Sequence, residues 1–296
     1  MVKGFRPETL KEALKLRAQY DCLPIAGGTD LMVQKARGFA LKPDFRKPLL
    51  FIGHLPELQR LEVINRQIHI GAGVILTDLL NSETIPDIFK EILALMASPP
   101  SRNLASIGGN ICNASPAGDT LPYLYAMDAQ VVLQSTDGER IIPIAGFITG
   151  PKQTDLKNSE LLTKIIIPQT EFDINMYRKI GQRKGMSLTK AAFLGMANVA
   201  DGKIQDIRIA FGSVAPTVVR SGEIEQSIVG KSTKDIVKNI SEISRQYAAL
   251  IRPIDDARSS AAYRKKVSLR LLEEFFVSNL AKISNLRKAQ SKGDIE

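Results

Sequence analysis

The stretch LPIAGGTDLM, Leu23–Met32, combines an apolar run, two adjacent glycines and a Thr-Asp pair that opens a second apolar run. The first apolar run is typical of a buried strand, and the glycines are typical of a tight turn. The residues that follow predict a short helix ending at Gly38. A second glycine turn lies about eighty residues further on, in SIGGNICNASPAGDTLP at 106–122.

Glycine turns of this kind let main-chain N–H groups approach an anion closely, and nearby hydroxyl groups add further donors. Together the two turns predict a pyrophosphate site, in which Gly27 and Gly28 allow the main-chain amides to reach the ligand. The alternative is that each is only a tight turn, which a single Gly-Gly pair would favour. Neither matches the phosphate loop of NTPases or the G-x-G-x-x-G dinucleotide signature, so the sequence excludes those two standard sites.

Composition narrows the class of protein. A chain of 296 residues, 44% of them hydrophobic, is long enough for about two domains with apolar cores. It contains no run of about 18 uncharged apolar residues, and its first residues lack the apolar stretch of a secretory signal, so we expect no membrane span and a cytoplasmic location. Two cysteines and two histidines predict no metal centre on this chain.

The net charge of +9 is scattered along the sequence rather than clustered. No nucleic-acid motif or aromatic stacking array accompanies it, which makes a nucleic-acid partner an unfavoured alternative. A basic surface equally suits an anionic cofactor or an acidic partner subunit.

The pattern of elements changes near residue 170. Before it, the sequence predicts an amphipathic helix capped by Thr9, several strands, a hairpin around Asp137-Gly138, and a helical stretch interrupted near Pro86. After it, residues 176–216 predict antiparallel strands with a turn at Asp201-Gly202, followed by two amphipathic helices, the first over 232–251. We therefore expect domains at 1–170 and 171–296, with a polar tail from about residue 285.

These motifs resemble a known family. The segments AGGTDL at 26–31 and SIGGNICNASPAGDTLP at 106–122 are similar to the paired FAD loops of the flavoprotein (medium) subunit of molybdenum hydroxylases, the xanthine dehydrogenase and carbon monoxide dehydrogenase group. Further matches, among them FRPETLKEAL, IHIGAGVILTDLL, RIAFGSVAPTVVRSGEIE and DARSSAAYRKKVSLRLL, follow in the family's order over nearly the whole chain. One small departure is SIGGN in place of the usual TIGGN, which keeps the hydroxyl group.

The resemblance implies an α+β fold: an FAD domain of the vanillyl-alcohol oxidase type, with subdomains at about 1–55 and 56–170, followed by a C-terminal domain of antiparallel sheet and helices. It also implies cofactor-binding residues and no catalytic residue on this chain. The first loop's amides would hold the pyrophosphate, the second loop would contribute to the same site, and Asp119 would accept hydrogen bonds from FAD hydroxyls. Ala97, Leu162 and Lys179 match more weakly. The full set is Ile25, Ala26, Gly27, Gly28, Thr29, Asp30, Leu31, Ala97, Ser106, Ile107, Gly108, Gly109, Asn110, Asp119, Leu162 and Lys179.

Several residues allow two interpretations. Lys179 is either a lysine that stabilises negative charge on the cofactor or an ordinary solvated strand residue. Cys112 is either a redox-sensitive thiol near the flavin or a small packed residue, and the second reading is favoured, as it is for Cys22. His54 and His69 read as ordinary loop and strand residues rather than as sites of covalent flavin attachment.

The resemblance implies an FAD-dependent oxidoreductase subunit that transfers electrons. Iron–sulfur clusters and a molybdopterin cofactor are expected on an iron–sulfur subunit and a molybdopterin subunit of a heterotrimeric complex, with NAD or another molecule as electron acceptor. The alternative is a self-sufficient FAD-dependent oxidase or reductase of the same fold. Such an enzyme normally needs an acid or base beside the flavin, and the sequence identifies no clear candidate.

Overall fold

The computed structural model describes residues 2–183 and 185–280. The strands and helices of this part of the chain alternate irregularly along the sequence. The strands are β1 (Gly4–Phe5), β2 (Leu23–Ile25), β3 (Leu49–Phe51), β4 (Leu61–Ile64), β5 (Gln67–Gly71), β6 (Gln130–Ser135), β7 (Gly138–Pro143), β8 (Ile148–Gly150), β9 (Gln153–Thr154), β10 (Leu161–Pro168), β11 (Ile174–Ile180), β12 (Ala191–Ala200) and β13 (Lys203–Gly212). The helices are α1 (Leu10–Gln19), α2 (Leu31–Lys35), α3 (Leu76–Asn81), α4 (Asp87–Ala94), α5 (Pro99–Arg102), α6 (Ile107–Cys112), α7 (Leu121–Ala126), α8 (Ile144–Phe147), α9 (Gly222–Ile228), α10 (Thr233–Lys238), α11 (Ile240–Leu250) and α12 (Ala261–Glu274). A 3-10 turn at Pro56–Leu58 and a π-helical segment at Phe275–Leu280 complete the set.

The chain divides into two compact units. Of the described residues, the first unit comprises those up to Ser115 together with Asp128–Gln169, and the second comprises Pro116–Met127 together with those from Thr170 to Leu280. The segment Pro116–Met127, which contains α7, therefore belongs with the C-terminal part of the chain. The sequence pattern, which places one division near residue 170, does not anticipate this.

The first unit contains two larger sheets of different kinds. Strands β1, β3 and β2 form a small parallel sheet with β3 in the centre. Helix α1 begins at the predicted cap, where the Thr9 hydroxyl accepts a hydrogen bond from the Glu12 amide at 3.2 Å. Its buried residues Ala13 and Leu14 contribute to an apolar cluster with Leu50 of β3. Because β2 and β3 run parallel, their carboxyl ends lie at the same edge of this sheet.

The second sheet of this unit is antiparallel, with strand order β4-β5-β10-β6-β7. Strand β10 lies at its centre, and six of its eight residues are buried because both faces are covered. The β6–β7 hairpin turns at the predicted Asp137-Gly138 pair, where Gly138 adopts a φ of 137°. A bulge between Leu162 and Lys164 shifts the pairing of β10 with β6.

The second unit is a three-stranded antiparallel sheet, β11-β12-β13, covered by helices. The central strand β12 is almost wholly buried. Phe193 and Phe211, on adjacent strands, contact each other edge to face at a centroid distance of 5.2 Å, and Phe275 contacts Phe193 at 5.8 Å. The predicted α+β class and the predicted C-terminal antiparallel sheet with helices are confirmed.

Two predicted helices differ from the structure. Helix α2 ends at Lys35 rather than Gly38, because the chain extends at Ala36 and the Lys35 carbonyl accepts from the Asp44 amide at 2.9 Å. The single helix expected over 232–251 is broken at Asn239, whose side-chain amide donates to the Asp235 carbonyl at 2.8 Å and whose backbone leaves the helical region. The predicted polar tail lies outside the described residues. None of the helices in the described part of the chain combines the length and hydropathy that a bilayer crossing requires.

Candidate functional site

The first glycine loop begins where β2 ends, at Ile25, and leads into α2 at Leu31. The two glycines have different roles in it. Gly28 has a φ of +67°, a backbone conformation that L side chains rarely adopt, and a Cβ there would face the side chains of Ile25 and Met32 at 3.3 and 3.5 Å. Gly28 is therefore required by its backbone conformation, not by close approach of another chain segment.

Gly27 is required by contact with the second loop. A Cβ on Gly27 would lie 1.7 Å from the main-chain oxygen of Leu104, two residues before Ser106, so no larger residue fits while the two segments touch. Gly108 repeats the arrangement in the second loop, since a Cβ there would lie 2.6 Å from the carbonyl oxygen of Ala72. The two predicted loops thus come together in one place, which the sequence suggested but could not show.

The first loop carries a row of free donors. Within the described part of the chain, none of the six consecutive amides from Ala26 to Leu31 donates a hydrogen bond to a protein acceptor. Main-chain N–H groups normally find partners, so a run of unbonded amides in a glycine loop is the arrangement that binds an anion. The predicted donors Ala26, Gly27, Gly28, Thr29, Asp30 and Leu31 are the members of this run.

The second loop uses its amides differently. The Ser106 hydroxyl caps α6 by accepting from the Gly109 amide at 3.1 Å, and the Asn110 amide donates to the Ser106 carbonyl at 3.0 Å. The Ile107 and Gly108 amides donate to the carbonyls of Val74 and Ala72. These four amides hold the loop in place instead of pointing at a ligand. Among the residues that the structure describes, no acceptor receives a hydrogen bond from the hydroxyl or the amide of Ser106, so both can donate to a ligand.

A cleft of about 330 Å³ lies where these loops meet. Among the predicted residues, Ile25, Ala26, Gly27 and Ser106 line it. The other lining residues, which sequence reasoning missed, are Arg6, Phe51, Gly53, His54, Gly73, Ile75, Asn103 and Leu104. One signal could have found part of this set: the FIGH segment, residues 51–54, begins with the last residue of β3, and ligands in parallel sheets bind at the carboxyl ends of the strands. Indeed a Cβ on Gly53 would lie 3.0 Å from Cα of Ala26.

The far end of the first loop makes side-chain contacts on the surface of the same unit. The carboxylate of Asp30 accepts from Gln34 and lies 3.4 Å from Nζ of Lys152. Lys152 and Gln34 both also donate to Oδ1 of Asn113, at 2.5 and 3.1 Å. The carboxylate of Asp30 thus bonds to protein partners, while its main-chain amide is one of the six that have no acceptor among the described residues.

Ala97 and Leu162 lie apart from the cleft lining. Ala97 has a φ of +50°, which explains why a glycine would suit this position, and its carbonyl accepts from Arg102 at 3.3 Å. Leu162 is buried in β10 opposite Leu133 of β6, beside the bulge in that strand.

Asp119 and Lys179, both in the second unit, contact each other. Nζ of Lys179 lies 2.7 Å from Oδ2 of Asp119, and the two side chains are only 6% and 9% exposed. Thr189, which sequence reasoning did not identify, donates its hydroxyl proton to Oδ1 of the same carboxylate. Burial raises the pKa of Asp119, and the Lys179 ammonium and the Thr189 hydroxyl oppose that rise. The reading of Lys179 as a solvated strand residue is therefore wrong.

The structure describes the surroundings of both cysteines and both histidines. Burial of the thiol raises the pKa of Cys112 to about 12, against a smaller lowering by the charge of Arg17, so the reactive thiolate is scarce. Cys22 is wholly buried in the apolar cluster of the first unit. The ring of His54 contacts the Pro7 carbonyl through Nε2 at 2.8 Å, and His69 lies in β5 with a pKa lowered by burial and by the charge of Lys164. The residues described contain no group of three or more His, Cys, Asp or Glu side chains arranged to hold a metal ion.

Family models match both parts of the chain. Residues 1–170 match the FAD binding domain in molybdopterin dehydrogenase, and residues 176–278 match the CO dehydrogenase flavoprotein C-terminal domain. The chain belongs to the FAD-binding subunits of the molybdenum hydroxylase family. The resemblance noted in the sequence is confirmed, and the first domain of this family member is an FAD-binding domain.

Individual relatives agree with the family model. The chain is 32% identical over 271 residues to the glyceraldehyde dehydrogenase medium chain of Sulfolobus acidocaldarius, across 88% of this chain and 92% of the relative. It is 29% identical over 265 residues to the carbon monoxide dehydrogenase medium chain of Hydrogenophaga pseudoflava, across 87% and 90% of the two chains. A solved structure of carbon monoxide dehydrogenase from H. pseudoflava, lacking the Mo-pyranopterin moiety of the molybdenum cofactor, superposes with a TM-score of 0.83 at 27% identity, covering 92% of this chain and 95% of that one.

Features of the first unit itself fit FAD. The free amides of the first loop suit a diphosphate, Gly27 leaves no side chain between the loops, and Ser106 adds a hydroxyl donor at the cleft. FAD, when bound, supplies the redox chemistry, and the chain supplies its position and electrostatic surroundings.

Proposed function

We propose that this chain is the FAD-carrying, electron-transferring subunit of a molybdenum-containing hydroxylase or dehydrogenase complex. In this proposal, electrons arrive from iron–sulfur clusters on one partner subunit, after oxidation of a substrate at a molybdopterin cofactor on another. They leave to NAD or a different acceptor. The observation that carries the proposal is the match of residues 1–170 to the FAD-binding family. It is supported by the first loop, in which six consecutive amides have no acceptor among the described residues and can bind an anion.

We assign the roles as follows. The amides from Ala26 to Leu31 bind the diphosphate of FAD, and Ser106 donates from the second loop. Asp119 accepts hydrogen bonds from FAD hydroxyls, since a carboxylate accepts from hydroxyl groups but repels a diphosphate. Lys179 acts through Asp119, because the two groups are bonded to each other.

The names of the relatives support the division into subunits. Two of them are called medium chains, one of a glyceraldehyde dehydrogenase and one of a carbon monoxide dehydrogenase. The two names give different substrates to enzymes that both have a medium chain, which supports a role for this kind of chain that does not depend on the substrate. We therefore assign electron transfer to this chain and the choice of substrate to a partner.

The test is purification of the chain from its native organism with whatever binds to it. FAD is quantified by absorbance, and molybdenum and iron by elemental analysis. A complex with FAD, molybdenum and iron supports the proposal, whereas a flavin-free complex refutes it. Oxidation of an organic substrate by the chain alone, without clusters or molybdenum, would instead establish a self-sufficient flavin enzyme.

Two glycine variants in the first unit are compared in the same experiment, one as the test and the other as its matched control. Gly27→Ala is expected to abolish retention of FAD because its Cβ collides with the Leu104 carbonyl oxygen. Gly146→Ala, at a helical position with nothing within 4 Å of the added Cβ, is expected to retain FAD fully. Equal FAD contents in the two variants would contradict the assignment of the first loop.

A further inference from the structure

The carboxylate of Asp119 is fixed by two donors, one on each oxygen. Lys179 donates to Oδ2 at 2.7 Å, and the Thr189 hydroxyl donates to Oδ1. All three residues belong to the second unit, and Thr189 is 2% exposed. A carboxylate has about four lone-pair directions, so these two bonds fix its orientation while leaving it able to accept more.

Thr189 is itself held by Ser213. The Ser213 hydroxyl donates to the Thr189 carbonyl at 2.9 Å, and the Ser213 amide donates to the Pro116 carbonyl, also at 2.9 Å. Pro116 lies three residues before Asp119, so Ser213 contacts both the segment that carries the carboxylate and the residue that orients it. Ser213 adopts a φ of +65°, a costly conformation for serine that persists only where the surrounding contacts demand it.

Arg264, in the first turn of α12, closes this set of contacts. Its Nη1 donates to the carbonyls of Lys190 and Ser213, each at 3.1 Å, and its Nη2 donates to Oδ1 of Asp256 at 2.6 Å. The Arg264 side chain is only 5% exposed. A planar guanidinium group is suited to joining several acceptors at fixed angles, and here it joins the residue before β12 to the residue after β13.

Asp256 is well suited to anchor Arg264. Burial alone would raise the pKa of Asp256, but hydrogen bonds from the Arg258 amide, the Arg264 guanidinium and the Ser259 amide outweigh it and hold the pKa at about 2. The anchor is therefore charged near neutral pH. The result is a continuous set of bonds from Asp256 through Arg264, Ser213 and Thr189 to Asp119.

We propose that Thr189 is a positioning residue for the cofactor, which orients the Asp119 carboxylate, and that Ser213 and Arg264 hold Thr189 in place. The proposal rests on the proposed function, in which Asp119 accepts hydrogen bonds from FAD hydroxyls. Its physical basis is preorganisation: an acceptor already oriented before binding loses less side-chain entropy when the ligand arrives. Thr189 does not touch FAD in this proposal.

The test compares Thr189→Val, which keeps the shape but loses the hydroxyl, with Thr189→Ser, which keeps the hydroxyl. Both are made in the full chain, FAD is removed, and its dissociation constant is measured by quenching of flavin fluorescence. Thr189→Val is expected to weaken FAD binding about tenfold at pH 7. Thr189→Ser is expected to bind FAD within about twofold of the unaltered chain, since its hydroxyl can still donate.

The pH dependence of FAD affinity separates positioning from general stability. The Thr189 hydroxyl and the Lys179 ammonium, the charged group that faces Asp119, both lower the pKa of its carboxyl. Without the hydroxyl the pKa rises, so the loss of affinity on acidification should begin at higher pH in Thr189→Val than in Thr189→Ser. A general loss of stability would not change the pH at which FAD affinity begins to fall. An unchanged affinity and pH profile in a folded Thr189→Val chain would overturn the proposal.

Two further variants test the positioning role and the role of Asp119 separately. If Thr189→Val does not fold, Ser213→Ala decides: it removes the bond to the Thr189 carbonyl, and about threefold weaker FAD binding is expected, while unchanged binding overturns the proposal. Asp119→Asn tests the underlying assignment. If Asp119→Asn binds FAD normally, the proposed role of Asp119 fails; if it weakens binding and Thr189→Val does not, only the positioning role fails.

Discussion

The ammonium group of Lys179 lies 2.7 Å from Oδ2 of Asp119, with both side chains almost fully buried. A buried ion pair is costly to form, yet breaking it by removing one partner leaves an uncompensated charge in the interior. Asp119 and Lys179 therefore depend on each other, and a single substitution at either position changes the stability of the chain as well as the binding of a ligand.

The first prediction follows from this pair. Lys179→Met is expected to lower the free energy of unfolding by about 3–5 kcal/mol, measured by urea denaturation of the FAD-free chain. The double variant Lys179→Met with Asp119→Asn should lose less than the single variant, because no charge is then left unpaired. A double variant less stable than Lys179→Met would contradict the interpretation.

The second prediction concerns the contact between the two loops. Gly27→Ala is expected to lower the thermal unfolding midpoint of the FAD-free chain, because its Cβ would have to occupy the position of the Leu104 carbonyl oxygen, 1.7 Å away. Gly146→Ala is the control and should leave the midpoint unchanged or slightly raised, since it lies in α8 with space around it. Equal midpoints would show that the loops do not need to touch.

The third prediction separates conformation from space at Gly28. Gly28→Val should abolish FAD retention, because a β-branched residue is strained at a φ of +67° and the loop amides would be turned away. Gly28→Asn should retain most of the flavin, since asparagine tolerates this region. FAD content per chain, read from the absorbance spectrum, decides it. Equal loss in both variants would mean that the volume of the side chain matters, not the backbone.

The fourth prediction concerns the hydroxyl of Ser106. Ser106→Ala removes both the cap of α6 and a donor at the cleft, so we expect about 1 kcal/mol lower stability and about tenfold weaker FAD binding. Ser106→Thr keeps the hydroxyl and should preserve both. Fluorescence titration gives the affinity and urea denaturation the stability. A Ser106→Ala chain with unchanged affinity would limit Ser106 to capping.

The fifth prediction concerns the thiol of Cys112. Because its pKa is raised to about 12 from an ordinary value of 9.0, it should react slowly with iodoacetamide at pH 8. The Cys22→Ser variant isolates this thiol for the measurement, and the urea-unfolded variant is the control, in which alkylation should be fast. The folded chain favours the protonated thiol, so this contribution to stability is complete below pH 9 and is lost as the pH rises toward 12. Rapid alkylation of the native variant would revive a redox role for Cys112.

Local patterns predicted the positions of most elements. Thr9, Pro86 and the Asp137-Gly138 pair marked a helix start, a helix interruption and a hairpin turn, because each acts on its own neighbours in the chain. The contact of Gly27 with Leu104 could not be predicted in the same way. Its partner lies 77 positions away, and nothing in a glycine indicates which segment approaches it.

The residues of the candidate site likewise fall into those that local sequence identifies and those that depend on distant contacts. The glycine loops were visible because they are continuous in sequence, and the resemblance to a family supplied Asp119 and Lys179. The bond from Thr189 to Asp119, and the contacts of Thr189 with Ser213 and of Ser213 with Arg264, were not visible, since these residues come from three separate segments and are ordinary in composition. Likewise the use of the second loop's amides within the fold depends on the carbonyls of Ala72 and Val74, which no local pattern identifies.

The excursion of Pro116–Met127 into the second unit has a consequence for dissecting the protein. The polypeptide passes between the units three times, at 115–116, 127–128 and 169–170, so neither unit is one uninterrupted stretch of chain. A fragment ending at residue 170 would carry α7, all six of whose residues are buried, without β12 and β13, which that helix contacts in the whole protein. Such a fragment would present an apolar helix to solvent and aggregate, whereas a fragment in which a short polar linker joins Ser115 to Asp128 would not carry that helix.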